Sequence, residues 1–101
     1  MVNQSIIEIA KKYIYLLPES IKLKKAFLFG SYAKGLEKTD SDIDIAIVVE
    51  KIEDFFALQI LLMRLRIQID LRIEPHPICI NDFNIQNPFA YQIQETGIEI
   101  F

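Results

Sequence analysis

Residues 30 to 35 read Gly-Ser-Tyr-Ala-Lys-Gly, and residues 41 to 44 read Ser-Asp-Ile-Asp. The segment that ends at Gly30, residues 24 to 30, is typical of a short buried strand, and a helical turn can begin directly after it. Residues 42 to 49 alternate, so that every second side chain shares one face of a strand. The sequence therefore predicts one strand that runs into a Gly-Ser corner and a second strand that begins at two aspartates.

The two aspartates of the second strand, Asp42 and Asp44, are two residues apart and therefore project from the same face. Taken alone, such a pair is usually a solvated cap, and a Gly-Ser dipeptide is usually a simple turn. However, two carboxylates aimed at one point repel each other unless a cation or hydrogen-bond donors offset their charge. Magnesium takes hard oxygen ligands, commonly one or two carboxylates plus substrate phosphates, so we expect a magnesium site here.

The rest of the chain alternates between helical and strand-like patterns. The predicted elements are a helix at residues 5–17, a helix at 53–66, a strand at 67–74, an extended turn at Pro75-His76-Pro77, and a short helix from Pro88 to residue 94 that Gly97 ends. This order predicts an α/β fold, and a length of 101 residues predicts that 1–101 form a single domain.

A third carboxylate, Asp70, lies on the polar side of the strand predicted at residues 67–74. If that strand lies beside the one that bears Asp44, three acids face one cavity. Two magnesium ions about 3.5–4 Å apart can then stabilise the entering and departing oxygens of an in-line displacement. At the corner, Gly30 leaves room for a phosphate and the Ser31 hydroxyl can donate a hydrogen bond to it. We therefore predict that a triphosphate and magnesium meet at this corner.

Charge and composition exclude several classes of protein. The net charge of −3 gives no overall attraction to nucleic-acid phosphates, so we expect no direct binding of a nucleic-acid polymer. No apolar stretch approaches the roughly 18 residues that a membrane span needs. The amino terminus lacks the pattern of a secretory signal, which predicts a cytoplasmic protein. One cysteine and one histidine exclude an internal disulfide and a zinc centre, and His76 is assigned no role.

The Gly30–Gly35 segment followed by Ser41–Asp44 resembles the signature of the DNA polymerase beta superfamily of nucleotidyltransferases. The chain is most similar to the minimal nucleotidyltransferases that prokaryotes encode beside HEPN-domain proteins, and the resemblance spans essentially all of it. It implies a polymerase-beta-like fold, a small mixed β-sheet with helices packed on it. It also implies that Gly30 and Ser31 bind nucleotide phosphates, that Asp42 and Asp44 hold magnesium, and that Asp70 is the third acid and the base.

The same resemblance implies a reaction and a partner. AMP is transferred from ATP, pyrophosphate is released, and in the antitoxin branch the acceptor is a tyrosine hydroxyl of a HEPN toxin. Two alternatives stay open, namely an antitoxin that neutralises its toxin by binding alone and a nucleotidyltransferase that modifies a small molecule. The sequence also leaves open whether the chain assembles with copies of itself or with another protein.

Overall fold

Helices and strands alternate along the chain in the computed structural model, which describes residues 3–38 and 40–101. The elements are α1 (Gln4–Leu16), β1 (Leu23–Phe29), α2 (Ser31–Lys34), β2 (Ile43–Val49), α3 (Phe55–Leu65), β3 (Ile73–Cys79), α4 (Pro88–Thr96) and β4 (Ile98–Glu99). The predicted helices and the first two predicted strands are confirmed, with ends that differ by one or two residues. Residues 1, 2 and 39, the last of which belongs to the loop before β2, lie outside the described part.

The strands form one mixed sheet in the order β3-β2-β1-β4. β1 pairs antiparallel with β2 and with β4, whereas β2 and β3 are parallel and are connected through α3. Because β2 and β3 run in the same direction, their amino-terminal ends meet at one edge of the sheet. The predicted α/β class with a small mixed sheet is confirmed.

Polar side chains cap the amino-terminal ends of three helices. The side-chain oxygen of Asn3 accepts a hydrogen bond from the backbone of Ser5 at the start of α1, and Asp54 accepts one from Ala57 at the start of α3, both at 3.0 Å. Asn87 does the same for α4, whose first residue is Pro88. Such caps satisfy backbone N–H groups that have no partner within the helix, so these residues fix where each helix begins.

Apolar side chains bury both faces of the central strand β2. On one face, Ile43, Ile45, Ile47 and Val49 pack in a core with α1 and α3. On the other face, Ala46 and Val48 pack beneath α4. In the first core the Tyr13 hydroxyl donates a 2.7 Å hydrogen bond to the carbonyl of Leu62, and burial raises the pKa of Tyr13, which keeps this donor protonated. The sheet is therefore a rigid support for whatever lies at its edge.

The prediction of a strand at residues 67–74 is wrong. Residues 66–68 form a single 3₁₀ turn, and β3 begins only at Ile73, so most of the alternating segment lies before the strand. The Arg66 guanidinium donates 3.0 Å hydrogen bonds to the carbonyls of Leu71 and Ile73 and thereby closes a turn, an interaction that periodicity does not reveal.

The turn predicted at Pro75-His76-Pro77 is also wrong, because these residues lie within β3. β3 is an edge strand, where a proline loses no sheet hydrogen bond if its nitrogen faces away from the neighbouring strand. The Pro75 nitrogen does face away from β2, because the carbonyl of the same residue points outward as well. That carbonyl accepts a 3.2 Å hydrogen bond from the Gln59 side chain on α3. In the part of the chain that the structure describes, no helix is long and apolar enough to cross a membrane.

Candidate active site

The corner after β1 has a backbone conformation that favours glycine. Gly30 has φ 77° and ψ −152°, and α2 begins at the next residue, Ser31. This region of the φ/ψ map is essentially restricted to glycine. A Cβ at Gly30 would also collide with Oδ2 of Asp44, since Asp44 is the cross-strand partner of Phe29. The predicted Gly-Ser corner is thus present, and it lies directly against the second aspartate of β2.

The two aspartates lie where the sequence places them, at the start of β2. Asp42 directly precedes the strand and is exposed, whereas Asp44 is its second residue and has a side chain that is 22% exposed. Their spacing of two residues gives both side chains the same face of the sheet. Further along β2, α4 covers this same face of the sheet. The two carboxylates lie before the covered part, at the end of the face that α4 leaves open.

The carboxylate that joins them is Glu74. In the parallel register of β2 and β3, Asp44 is paired with Glu74, so their side chains stand next to each other. A hydrogen bond with the Asp42 carboxyl is the largest cause of a raised pKa at Glu74, followed by desolvation and the negative charge of Asp42, while His76 acts in the opposite direction. Three acids therefore converge at this edge of the sheet.

His76 completes the cluster. Its Nε2 lies 3.1 Å from Oδ1 of Asp44, and ligand atoms of Asp44, Glu74 and His76 all lie within 4.8 Å of one another. The histidine ring meets Phe29 edge-to-face with ring centres 5.0 Å apart. The predicted turn left His76 without a role, whereas the structure places it within β3, beside Asp44.

Asp70 is held elsewhere. It lies in the turn before β3, where both carboxylate oxygens accept hydrogen bonds from the Arg72 guanidinium, at 3.0 and 2.8 Å. These bonds lower the pKa of Asp70 and hold Arg72 in place, and Arg72 also donates to the Tyr32 hydroxyl at 3.2 Å. The structure thus brings Asp42, Asp44 and Glu74 together and leaves Asp70 paired with Arg72, because β3 starts three residues after the aspartate.

The sequence contained a signal for Glu74 and His76. They are two residues apart, as Asp42 and Asp44 are, and residues 73 to 77 alternate between apolar and polar as a strand does. Two prolines within five residues concealed this pattern, because proline is normally excluded from a sheet except at its edge.

The donor set suits a hard divalent cation. Carboxylate oxygens from Asp42, Asp44 and Glu74 are the ligands that magnesium prefers. The raised pKa of Glu74 shows that the surrounding protein leaves the clustered negative charge incompletely compensated. A bound cation would supply that compensation, so the residues present fit the predicted metal.

A cleft of about 150 Å³ adjoins Gly30. It lies between α2 and α4, and its lining residues are Phe29, Gly30, Lys34, Phe89, Gln92, Ile93 and Thr96. Larger clefts of about 350 and 620 Å³ lie elsewhere, the first around Glu50 and Lys51 and the second between α1 and the end of the chain. The convergent acids, rather than cleft size, mark the candidate active site.

The clustered acids predict an unusual pH dependence for the metal-free protein. Because the pKa of Glu74 is raised above its ordinary value of 4.5, its contribution to stability is fully present below pH 4.5 and is lost as the pH rises through the raised pKa. We expect Glu74→Gln to raise the free energy of unfolding at pH 7 by about 0.2–1 kcal/mol, the range for cross-strand pairs. At about 4–8 °C per kcal/mol this is a rise in melting temperature of roughly 1–8 °C.

The measurement is thermal melting with EDTA present at several values between pH 4 and 7. Glu99→Gln is the matched control, since Glu99 is an exposed residue on β4, at the opposite edge of the sheet. An identical pH profile in wild type and Glu74→Gln would contradict the acid cluster as described.

The mixed sheet, the Gly-Ser corner and the acids at the start of two parallel strands agree with the nucleotidyltransferase resemblance seen in the sequence. The family model described as "Polymerase beta, Nucleotidyltransferase" matches residues 4–101, so the chain belongs to this family and is a nucleotidyltransferase enzyme. A relative from Methanocaldococcus jannaschii, "Putative protein adenylyltransferase MJ1215", is 41% identical over an alignment of 68 residues, and the alignment covers 63% of this chain and 79% of that protein.

Two solved structures share the fold. A crystal structure of a toxin-antitoxin with AMP-PNP has a TM-score of 0.69 and 24% identity, over 94% of this chain and 72% of that chain. A mutant of the toxin-antitoxin MntA-HpeT has a TM-score of 0.60 and 22% identity, over 97% of this chain and 71% of that chain. The predicted polymerase-beta-like fold is confirmed.

Proposed function

We propose that this chain is a magnesium-dependent adenylyltransferase that transfers AMP from ATP to a tyrosine hydroxyl of a HEPN-domain toxin and thereby acts as its antitoxin. The observation that carries the proposal is the convergence of Asp42, Asp44 and Glu74 beside the Gly30 corner. We further propose that residues 1–101 form one nucleotidyltransferase domain and that the reaction takes place in the cytoplasm.

The residues divide the work as follows. Gly30 admits the triphosphate close to the main chain, and the Ser31 hydroxyl donates a hydrogen bond to a phosphate oxygen. Asp42, Asp44 and Glu74 hold one or two magnesium ions. Magnesium, when bound, stabilises negative charge on the oxygens of the transferred and leaving phosphates.

Glu74 is the group we assign to proton transfer, in place of Asp70. The acceptor oxygen bonds to the α-phosphorus of ATP, the bond from that phosphorus to the pyrophosphate oxygen breaks, and the hydroxyl proton passes to the Glu74 carboxylate. Glu74 is placed for this step because it stands next to Asp44 in the register of β2 and β3. Asp70, held by Arg72, is a weaker candidate because its pKa is lowered.

The choice of a protein acceptor follows from two further points. The relative MJ1215 carries the name of a protein adenylyltransferase, and both solved structures are toxin-antitoxin proteins. In addition, the acids lie at an edge of the sheet where Asp42 is exposed, within reach of a second protein. An acceptor that brings its own binding surface suits such a site.

Label transfer tests the proposal. The protein is incubated with α-labelled ATP, magnesium and the purified product of the adjacent gene, which the proposal expects to be a HEPN toxin, and peptide mass spectrometry locates any AMP group. We expect label on a tyrosine of the toxin and loss of toxin activity. Failure to label the toxin, with labelled ATP bound normally, would refute a protein acceptor.

A second candidate function, neutralisation by binding alone, is favoured by one surface. Apolar side chains from α3 to the turn before β3 are exposed, with Phe56 at 77%, Ile60 at 52%, Ile67 at 66% and Leu71 at 65%. Isolated exposed apolar residues are ordinary, but a connected set marks a contact surface. An Asp42→Asn, Asp44→Asn double variant separates the two functions, because it still neutralises the toxin only if binding suffices.

A further inference from the structure

The strand that carries His76 is unusually stiff at that residue. Pro75 and Pro77 flank it, and each proline ring fixes its own φ near −65°. The residue paired with His76 on β2 is Ala46, which is fully buried and has no side chain beyond Cβ. The imidazole therefore has room to lean across Ala46 towards Asp44, which lies two residues before Ala46 on β2.

Aromatic neighbours hold the ring in that direction. Phe29 contacts it edge-to-face with centres 5.0 Å apart, and Phe89 of α4 lies 6.2 Å away. Phe29 and Phe89 also contact each other at 5.5 Å, so the imidazole packs against a continuous aromatic wall. Such edge-to-face contacts restrict the orientation of a ring beyond simple burial.

The contact with Asp44 fixes the location of the imidazole proton. A carboxylate only accepts hydrogen bonds, so the nitrogen 3.1 Å from Oδ1 of Asp44, Nε2, must donate. The other oxygen of the same carboxylate, Oδ2, lies against the bare Cα of Gly30. Both oxygens of Asp44 are thus located, one by a residue of β3 and the other by the corner after β1.

We infer that His76 is a positioning residue, which clamps the Asp44 carboxylate in the orientation that binds magnesium and nucleotide triphosphate; this rests on the proposed function. The χ2 torsion of aspartate has a broad energy profile, so a carboxylate without a fixed partner samples many orientations. Hydrogen-bond partners of metal ligands typically change metal affinity or activity by 10–100-fold when they are removed.

Two substitutions separate the hydrogen bond from the packing. His76→Phe keeps an aromatic ring against Phe29 and Phe89 but removes the donor. His76→Gln places an amide N–H close to the position of Nε2 but removes the ring. Phe89→Leu is the matched control, because it alters the aromatic wall and leaves the His76 donor in place.

The readout is the dissociation constant of Mg²⁺–AMP-PNP, measured by calorimetry on the full chain, together with the melting temperature of the metal-free protein. We expect His76→Phe to melt near wild type and to bind about 10–100-fold more weakly. His76→Gln and Phe89→Leu should melt lower and retain most of the affinity. In transfer assays, His76→Phe should also lower kcat, and His76→Gln should restore it.

Wild-type affinity in His76→Phe would overturn the inference. Equally, affinities that follow melting temperature across the three variants would show a purely structural role. Asp44→Asn separates these outcomes from failure of the proposed function. If that variant binds Mg²⁺–AMP-PNP as wild type does, the acid cluster is not the nucleotide site, whatever His76 does.

Discussion

Asp44→Asn is expected to lower the rate of AMP transfer by about 10²–10³-fold, the usual loss when one preorganised electrostatic group is removed from an active site. Asp44 lies at the centre of the site, between the Gly30 corner on one side and Glu74 and His76 on the other. Asparagine has the same shape and can still accept a hydrogen bond from His76, so the fold should be preserved while the negative charge is lost.

The rate is measured with labelled ATP at saturating magnesium, and folding is checked by melting. Asp82→Asn is the matched control, an exposed aspartate just after β3 that should transfer at the wild-type rate. We also expect stabilisation of the protein by Mg²⁺–AMP-PNP to disappear in Asp44→Asn, since a ligand stabilises only the state that binds it. Undiminished transfer by Asp44→Asn would contradict the assigned site.

Gly30→Ala is expected to cause the second largest loss of activity. It should also lower the stability of the fold. The backbone at Gly30, with φ 77° and ψ −152°, costs a non-glycine residue about 1–3 kcal/mol, which corresponds to a melting temperature lower by roughly 4–24 °C. The new methyl group would also displace the Asp44 carboxylate. We expect transfer to fall by at least about 10²-fold, as it would if that electrostatic group were removed.

Gly97→Ala controls for lost stability. A Cβ at Gly97 would lie 2.5 Å from the carbonyl oxygen of Ile93 and 3.1 Å from that of Leu28, between α4 and β1. It should therefore destabilise the fold without touching the acids. Below its melting temperature, Gly97→Ala should retain transfer. If both glycine variants lose activity in proportion to stability, Gly30 has no specific part in the site.

Local sequence patterns were sufficient to predict the part of the site whose residues lie close together in the sequence. Gly30 and Ser31 follow a strand, and Asp42 and Asp44 begin the next one, and the structure keeps this arrangement. Strand periodicity gives two side chains on one face without knowledge of the rest of the fold.

The third acid of the cluster could not be predicted from local patterns, because its identity depends on contacts between residues that are distant in the sequence. The alternation of residues 67–74 imitates a strand, but the Arg66 side chain binds the carbonyls of Leu71 and Ile73 and holds this segment in a turn. Whether Asp70 or Glu74 stands beside Asp44 depends on the register of two strands joined through α3. A shift of register moves every side chain, so this choice required the tertiary structure.

The prolines of β3 also limit how another protein can approach. An exposed strand normally offers a row of backbone donors and acceptors to which a second chain can hydrogen-bond as an additional strand. Pro75 and Pro77 offer no donor, and the carbonyls of Ile73 and Pro75 are already bound by Arg66 and Gln59. Strand addition is thus blocked beside the acids, and an incoming protein must be recognised through side chains.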